Sequence, residues 1–89
     1  MKISKSFNKS INKFPNNLIT LHLESYDQQI NELPSNLTYL DLGTYNKKIY
    51  SFPNKLKFLH LNKYNKEIYD LPNNLKLLNM GSYNKKINN

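Results

Sequence analysis

Residues 33–51 read LPSNLTYLDLGTYNKKIYS, from Leu33 to Ser51. At its centre, Leu40-Asp41-Leu42 alternates apolar and polar residues with period two, the pattern of a short strand with one buried face. Pro34 fixes its own φ and holds Leu33 in extended geometry, so this part of the stretch rejects a helix interior. A strand and two turns use up most of the unit and leave no room for a helix of about 10–12 residues.

The same pattern recurs on both sides without a gap. FPNNLITLHLESYDQQINE begins at Phe14, FPNKLKFLHLNKYNKEIYD at Phe52 and LPNNLKLLNMGSYNKKINN at Leu71; Phe7-Asn8-Lys9-Ser10-Ile11-Asn12-Lys13 matches the tail of a unit. The chain therefore divides into an N-terminal half-repeat or cap, residues 1–13, and four repeats at 14–32, 33–51, 52–70 and 71–89, forming one solenoid domain. Six columns recur at fixed spacing: Leu18/Leu37/Leu56/Leu75, Leu21/Leu40/Leu59/Leu78, Leu23/Leu42/Leu61/Met80, Phe7/Tyr26/Tyr45/Tyr64/Tyr83, Ile11/Ile30/Ile49/Ile68/Ile87 and Phe14/Leu33/Phe52/Leu71. A single coil cannot bury these groups, whereas stacked coils can. The expected fold is mostly β, a right-handed leucine-rich-repeat-like solenoid of 19-residue coils. Its strands form a short parallel sheet about 4.8 Å apart, with little or no α-helix.

Asp27, Asn46, Asn65 and Asn84, with Asn8, form a polar column beside the tyrosines. It is expected to be a buried amide ladder that satisfies backbone groups at a coil corner, so that Asn65→Ala costs about 1–3 kcal/mol. Ile3, Phe7 and Ile11 suit an N-terminal cap, but the repeat spacing puts polar Lys2 and Ser4 at the strand position, which argues against a first strand. At the other end Leu77-Leu78-Asn79-Met80 is an open edge without a cap. The chain is then a fragment of a longer array, or this repeat stacks end to end with another copy or a partner.

The net charge is +7 and all thirteen basic residues are lysine. Lysine-only positive charge reads first as solubility and second as affinity for an anionic partner, since it lacks the guanidinium fork that suits phosphate and guanine. The absence of cysteine excludes disulfides and thiolate-ligated metals. Nothing resembles a secretion leader or a membrane span, which points to a soluble, intracellular and cytoplasmic protein (host cytoplasm if viral). In such a protein Asn8-Lys9-Ser10 and Asn36-Leu37-Thr38 are chance matches to the N-glycosylation pattern.

The L-x-x-L-x-L core followed by Asn, Ile and L-P-x-x-L is similar to short leucine-rich repeats. More closely, the chain resembles the FNIP repeat, a leucine-rich-type family of amoebae and giant viruses with L-P-x-x-L-x-x-L followed by F-N-x-P-I. The counterparts are Leu33-Pro34-Ser35-Asn36-Leu37-Thr38-Tyr39-Leu40 and Tyr45-Asn46-Lys47-Lys48-Ile49. The second motif's proline is replaced by Gln29, Lys48, Glu67 and Lys86, and its phenylalanine by tyrosine in the four full repeats. The resemblance implies a binding scaffold.

In a leucine-rich solenoid the outward strand positions line the concave face. Here they give an apolar row, Thr20-Tyr39-Phe58-Leu77, and a polar row, His22-Asp41-His60-Asn79. Tyr39, Phe58, Leu77, His22, Asp41 and His60 are the candidate contacts for an unidentified protein partner, because contiguous exposed apolar groups mark interaction sites and aromatics suit their centres. The His-Asp-His row lacks a fourth metal ligand, so no metal is expected; protonation of its histidines could make the face pH-sensitive. Lys47, Lys48, Lys66, Lys85 and Lys86 form a candidate basic rim beside Tyr50 and Tyr69, the alternative site, for nucleic acid. No nucleophile-base pair, glycine-rich phosphate loop or paired-carboxylate cleft is legible, so neither an enzyme nor a cofactor is expected. A repeat array without a dedicated partner is the third reading.

Overall fold

The computed structural model describes residues 1–3, 9, 11 and 13–88. Phe7, Asn8 and Ser10 of the half-repeat lie outside the described residues. Six short strands follow in chain order: β1 (Thr20–His22), β2 (Tyr39–Asp41), β3 (Phe58–His60), β4 (Ile68–Tyr69), β5 (Leu77–Asn79) and β6 (Ile87–Asn88). β1, β2, β3 and β5 form a parallel sheet in that order, and β4 pairs with β6 in parallel. No helix occurs among the described residues. Equivalent residues of successive repeats face one another: Leu21 pairs with Leu40, Leu40 with Leu59 and Leu59 with Leu78. Stacked parallel strands of this kind fit a repeat solenoid.

The alternation of each strand sends the central leucine inward. Leu21, Leu40 and Leu59 are fully buried, as are Leu23, Leu42 and Leu61 after them. Among the described residues the coil from Leu71 packs against one other coil; Leu71, Leu75, Leu78 and Ile87 are half-buried there and Met80 is 37% exposed.

The polar column beside the tyrosines is not a buried ladder. Asp27, Asn46, Asn65 and Asn84 are all exposed. The tyrosines supply the polar rungs instead. The Tyr45 hydroxyl accepts the Ile30 N–H at 3.0 Å and donates to the Gln28 carbonyl at 2.9 Å, and the Tyr64 hydroxyl accepts the Ile49 N–H at 3.0 Å. Tyrosine was readable as an apolar core residue, but its para-hydroxyl reaches the far backbone that the shorter amide cannot. A genuine amide rung lies two residues after the prolines. There Asn36 donates to the Asn16 carbonyl at 2.8 Å, and Asn74 to the Asn54 carbonyl at 3.0 Å.

The N-terminus does pair, contrary to the sequence expectation. Lys2 bridges His22, with the Ile3 N–H donating to the His22 carbonyl and the His22 N–H to the Met1 carbonyl, both at 2.8 Å. This pairing is one residue longer than between later coils. Because a one-residue slip reverses the faces of a strand, Ile3 turns inward to 3% exposure and Lys2 stays out. By Lys9 the ordinary register is restored: its carbonyl accepts from Tyr26 at 2.6 Å, as the Gln28 carbonyl does from Tyr45.

Coils also differ alternately. The residue two past each strand of the four-stranded sheet has positive φ: Glu24 (23°), Gly43 (54°), Asn62 (50°) and Gly81 (56°). A Cβ on Gly43 would lie 2.9 Å from the Glu24 Cα, and one on Gly81 would lie 2.7 Å from the Asn62 Cα. Glycine is required where the coil descends onto the preceding backbone, in repeats 2 and 4. Repeats 1 and 3 carry a side chain there. Phenylalanine and leucine alternate in step, as Phe14, Leu33, Phe52 and Leu71.

Candidate functional site

The strand register sets the outward residues in two rows across the solvent face of the sheet. Tyr39 lies opposite Thr20 and Phe58, and Phe58 opposite Leu77. Exposure rises along the row, from half-buried Tyr39 to Phe58 at 36% and Leu77 at 47%. His22, Asp41, His60 and Asn79 form the second row.

The two rows meet at Tyr39. Its ring centroid is 5.3 Å from that of His22, 5.2 Å from His60 and 6.4 Å from Phe58, all tilted contacts. His22 and His60 are diagonal neighbours of Tyr39, two residues past its direct partners on the adjacent strands, and diagonal positions are within reach of aromatic side chains. Row-by-row reading of the sequence treated them as separate groups; the diagonal would have found the cluster.

Asp41 is largely committed within the sheet. Its Oδ2 lies 3.7 Å from His22 Nδ1. Its Oδ1 accepts from the Gly43 N–H at 3.0 Å and from the Asn62 side-chain amide. Asn79 repeats the turn-closing role, accepting the Gly81 N–H at 3.1 Å. Asn62 thus helps hold Asp41; strand alternation places it on the outward face with Glu24, Gly43 and Gly81, but it is not among the candidate contacts.

The lysine corner is positioned by the tyrosine ladder. The Tyr83 hydroxyl donates to the Lys66 carbonyl at 2.8 Å, with the Lys86 carbonyl 3.1 Å away. With their backbones used as rungs, Lys66 and Lys86 put their side chains into solvent, as do Lys47 and Lys85. Lys48 differs. It is half-buried, with its ammonium 4.8 Å from the Tyr69 ring and 5.4 Å from the Tyr50 ring. Tyr69 in turn donates to Glu67 at 2.9 Å. Lys48 therefore covers aromatic surface that an unpaired base would need.

Behind the corner, burial pushes the Tyr45 and Tyr64 hydroxyls up to about 12, against the opposing effect of the Ile30 and Ile49 backbone hydrogen bonds. Open clefts run along the proline corner, one of them between Leu33, Phe52 and Pro53.

The FNIP Repeat family model matches residues 7–45 and 29–64, which together span more than half of the chain. The chain belongs to the FNIP repeat family. Its FNIP units are tandem, and the matched residues include Tyr39, Phe58, both histidines, Tyr45 and Tyr64. No curated protein and no solved structure matches the chain. Among the described residues of this FNIP repeat protein, no helix is long and apolar enough to cross a membrane.

Proposed function

We propose that this FNIP repeat protein is a non-enzymatic scaffold that binds a protein partner through the sheet face centred on Tyr39. The supporting observation is the aromatic cluster: Tyr39 set among His22, His60 and Phe58, continued by exposed Leu77. A half-buried tyrosine held by its neighbours loses little side-chain freedom on binding, and tyrosine is enriched at the energetic centres of interfaces. Asp41, His22 and His60 provide the polar border. In this reading the coils are right-handed 19-residue turns with boundaries after residues 13, 32, 51 and 70, the sheet face is concave, and the protein works in the cytoplasm.

The second reading is a nucleic-acid-binding solenoid using Lys47, Lys48, Lys66, Lys85 and Lys86. The exposed lysine side chains favour it, and the placement of Lys48 over Tyr50 and Tyr69 weighs against base stacking there. One affinity capture separates the two. Under the first reading, a captured protein is lost with Tyr39→Ala/Phe58→Ala and retained after nuclease treatment and at high salt. Capture that survives the double variant but falls steeply with ionic strength supports lysine–phosphate contact and rejects the first reading.

A further inference from the structure

The sheet face around Tyr39 is bordered by one sign of charge. Lys57 and Lys76 are exposed and stand one residue ahead of Phe58 and Leu77, where β3 and β5 begin. Their backbones are held in register, with the Lys57 N–H donating to the Thr38 carbonyl at 2.9 Å and the Lys76 N–H to the Lys57 carbonyl at 2.8 Å. The two cations thus leave neighbouring coils, about 4.8 Å apart, at the entry end of the apolar row. Exposed Lys63 follows β3 at the exit end, and exposed Lys2 pairs beside His22.

The chain's carboxylates do not offset these charges. Asp41 is engaged with His22, Gly43 and Asn62. Glu24 lies in the coil of β1, two coils from Phe58, while Asp27 and Glu67 belong to the tyrosine corner and Glu32 and Asp70 to the proline corner. Among the described residues neither Lys57 nor Lys76 is paired with a carboxylate. His60 adds a donor at the centre of the face. It is half-buried, 5.2 Å from the Tyr39 ring, and its nitrogens have no hydrogen-bond partner among the described residues, whereas His22 faces Asp41. An imidazole carries at least one N–H in either tautomer.

We propose that the occupant of this face is an acidic peptide segment of the partner. It sets an aromatic or large aliphatic side chain on Phe58 and Leu77 and directs carboxylates to Lys57, Lys76 and His60. The proposal rests on the reading of the Tyr39 face as a protein-binding site and names the chemistry of what binds there. Tyr39, Phe58 and Leu77 supply affinity that salt does not screen, while the lysines choose among partners and speed encounter. A single nucleic-acid strand is also anionic, but the face suits it less. The Tyr39 and Phe58 rings are tilted by 38° at 6.4 Å, and Tyr39 is flanked by both histidines, so successive bases find no open coplanar platform. Lysine meets a carboxylate as a point charge and needs no fork to do so.

The test is selection from a phage-displayed library of random peptides on the whole chain, followed by affinity measurement with the selected peptides as synthetic probes. The expected peptides carry an aromatic or large aliphatic residue with Asp or Glu on either side. Their binding should fall about tenfold with Lys57→Glu/Lys76→Glu, since two exposed attractions become repulsions, and should be abolished by Tyr39→Ala/Phe58→Ala. Both lysines are exposed, so the charge-reversed chain should keep its circular dichroism spectrum and select peptides without the acidic bias. Peptides with no acidic bias that bind the wild-type and charge-reversed chains equally, yet are lost with Tyr39→Ala/Phe58→Ala, overturn the acidic occupant and leave the protein-binding face standing. Peptides that still bind Tyr39→Ala/Phe58→Ala overturn both. Failure to select any peptide overturns the proposal. So does an oligouridylate that binds more tightly than every selected peptide and is lost in both double variants, which assigns the face to nucleic acid.

Discussion

The Tyr64 hydroxyl accepts the backbone N–H of Ile49 at 3.0 Å, joining a side chain of one coil to the main chain of the coil before it. Both residues are buried. Removing the hydroxyl leaves the Ile49 N–H without an acceptor in a place water does not reach. Tyr64→Phe should therefore destabilise the fold by about 1–3 kcal/mol. Asn65→Ala, next to it but exposed, should fall within about 0.5 kcal/mol of wild type. Urea midpoints of the two variants check the pair; the reverse order would return the ladder to the asparagines.

The same burial makes stability depend on alkaline pH. Tyr45 and Tyr64 are raised from 10.0 to about 12 in the folded chain. The folded state thus holds these protons more tightly than the unfolded state. Their contribution is complete below pH 10 and is lost as pH rises from there toward 12. Denaturation followed across this window should show a steep fall that Tyr45→Phe/Tyr64→Phe flattens.

Gly43 offers no room for a side chain, since its Cβ would meet the Glu24 Cα at 2.9 Å, and its φ is +54°. Gly43→Ala should lower stability by about 1–3 kcal/mol through backbone strain and a shift between coils. Thermal unfolding checks this, with the exposed neighbour Thr44→Ala as the milder comparison; Thr44 gives up its 2.9 Å hydrogen bond to the Glu24 carbonyl and its 3.0 Å hydrogen bond with the Ser25 hydroxyl, both at the surface.

Ile3 and Lys2 test the shifted register of the first coil. Ile3→Ala should cost about 2 kcal/mol, the lower range for an aliphatic truncation in a core, because this end of the stack has one neighbouring coil. Lys2→Ala should be close to neutral. If Lys2 were the residue that matters, the register would be the ordinary one.

Most of the stack is legible from spacing alone, because Leu21, Leu40, Leu59 and Leu78 each repeat the same environment and period-two alternation fixes their face. The misreadings share a cause. Tyr45 and Asn46 are adjacent, and composition names the amide as the natural ladder residue; the length of the phenol ring, which decides which hydroxyl or amide reaches Gln28 and Ile30, is not visible in a pattern. Ile3 was legible as a cap residue, but the pairing of Lys2 with His22 escaped because repeat arithmetic assumes constant coil length, whereas here the offset is one residue longer and Ile3 is buried. The rows of the sheet face were legible, since register follows from the repeat. The convergence of His22 and His60 on Tyr39 was not, because it crosses between rows.

The glycines of alternate coils also bear on how such a gene can change length. Deleting residues 33–51 would bring Asn62 to the place of Gly43, setting a Cβ 2.9 Å from the Glu24 Cα. Deleting residues 33–70 would bring Gly81 there, and the junction would close with the glycine it needs. Loss of repeat 2 alone thus sets a side chain against the Glu24 backbone, whereas loss of repeats 2 and 3 together keeps a glycine there. A shortened array that keeps glycine above Glu24 should therefore be more stable than one that sets Asn62 there.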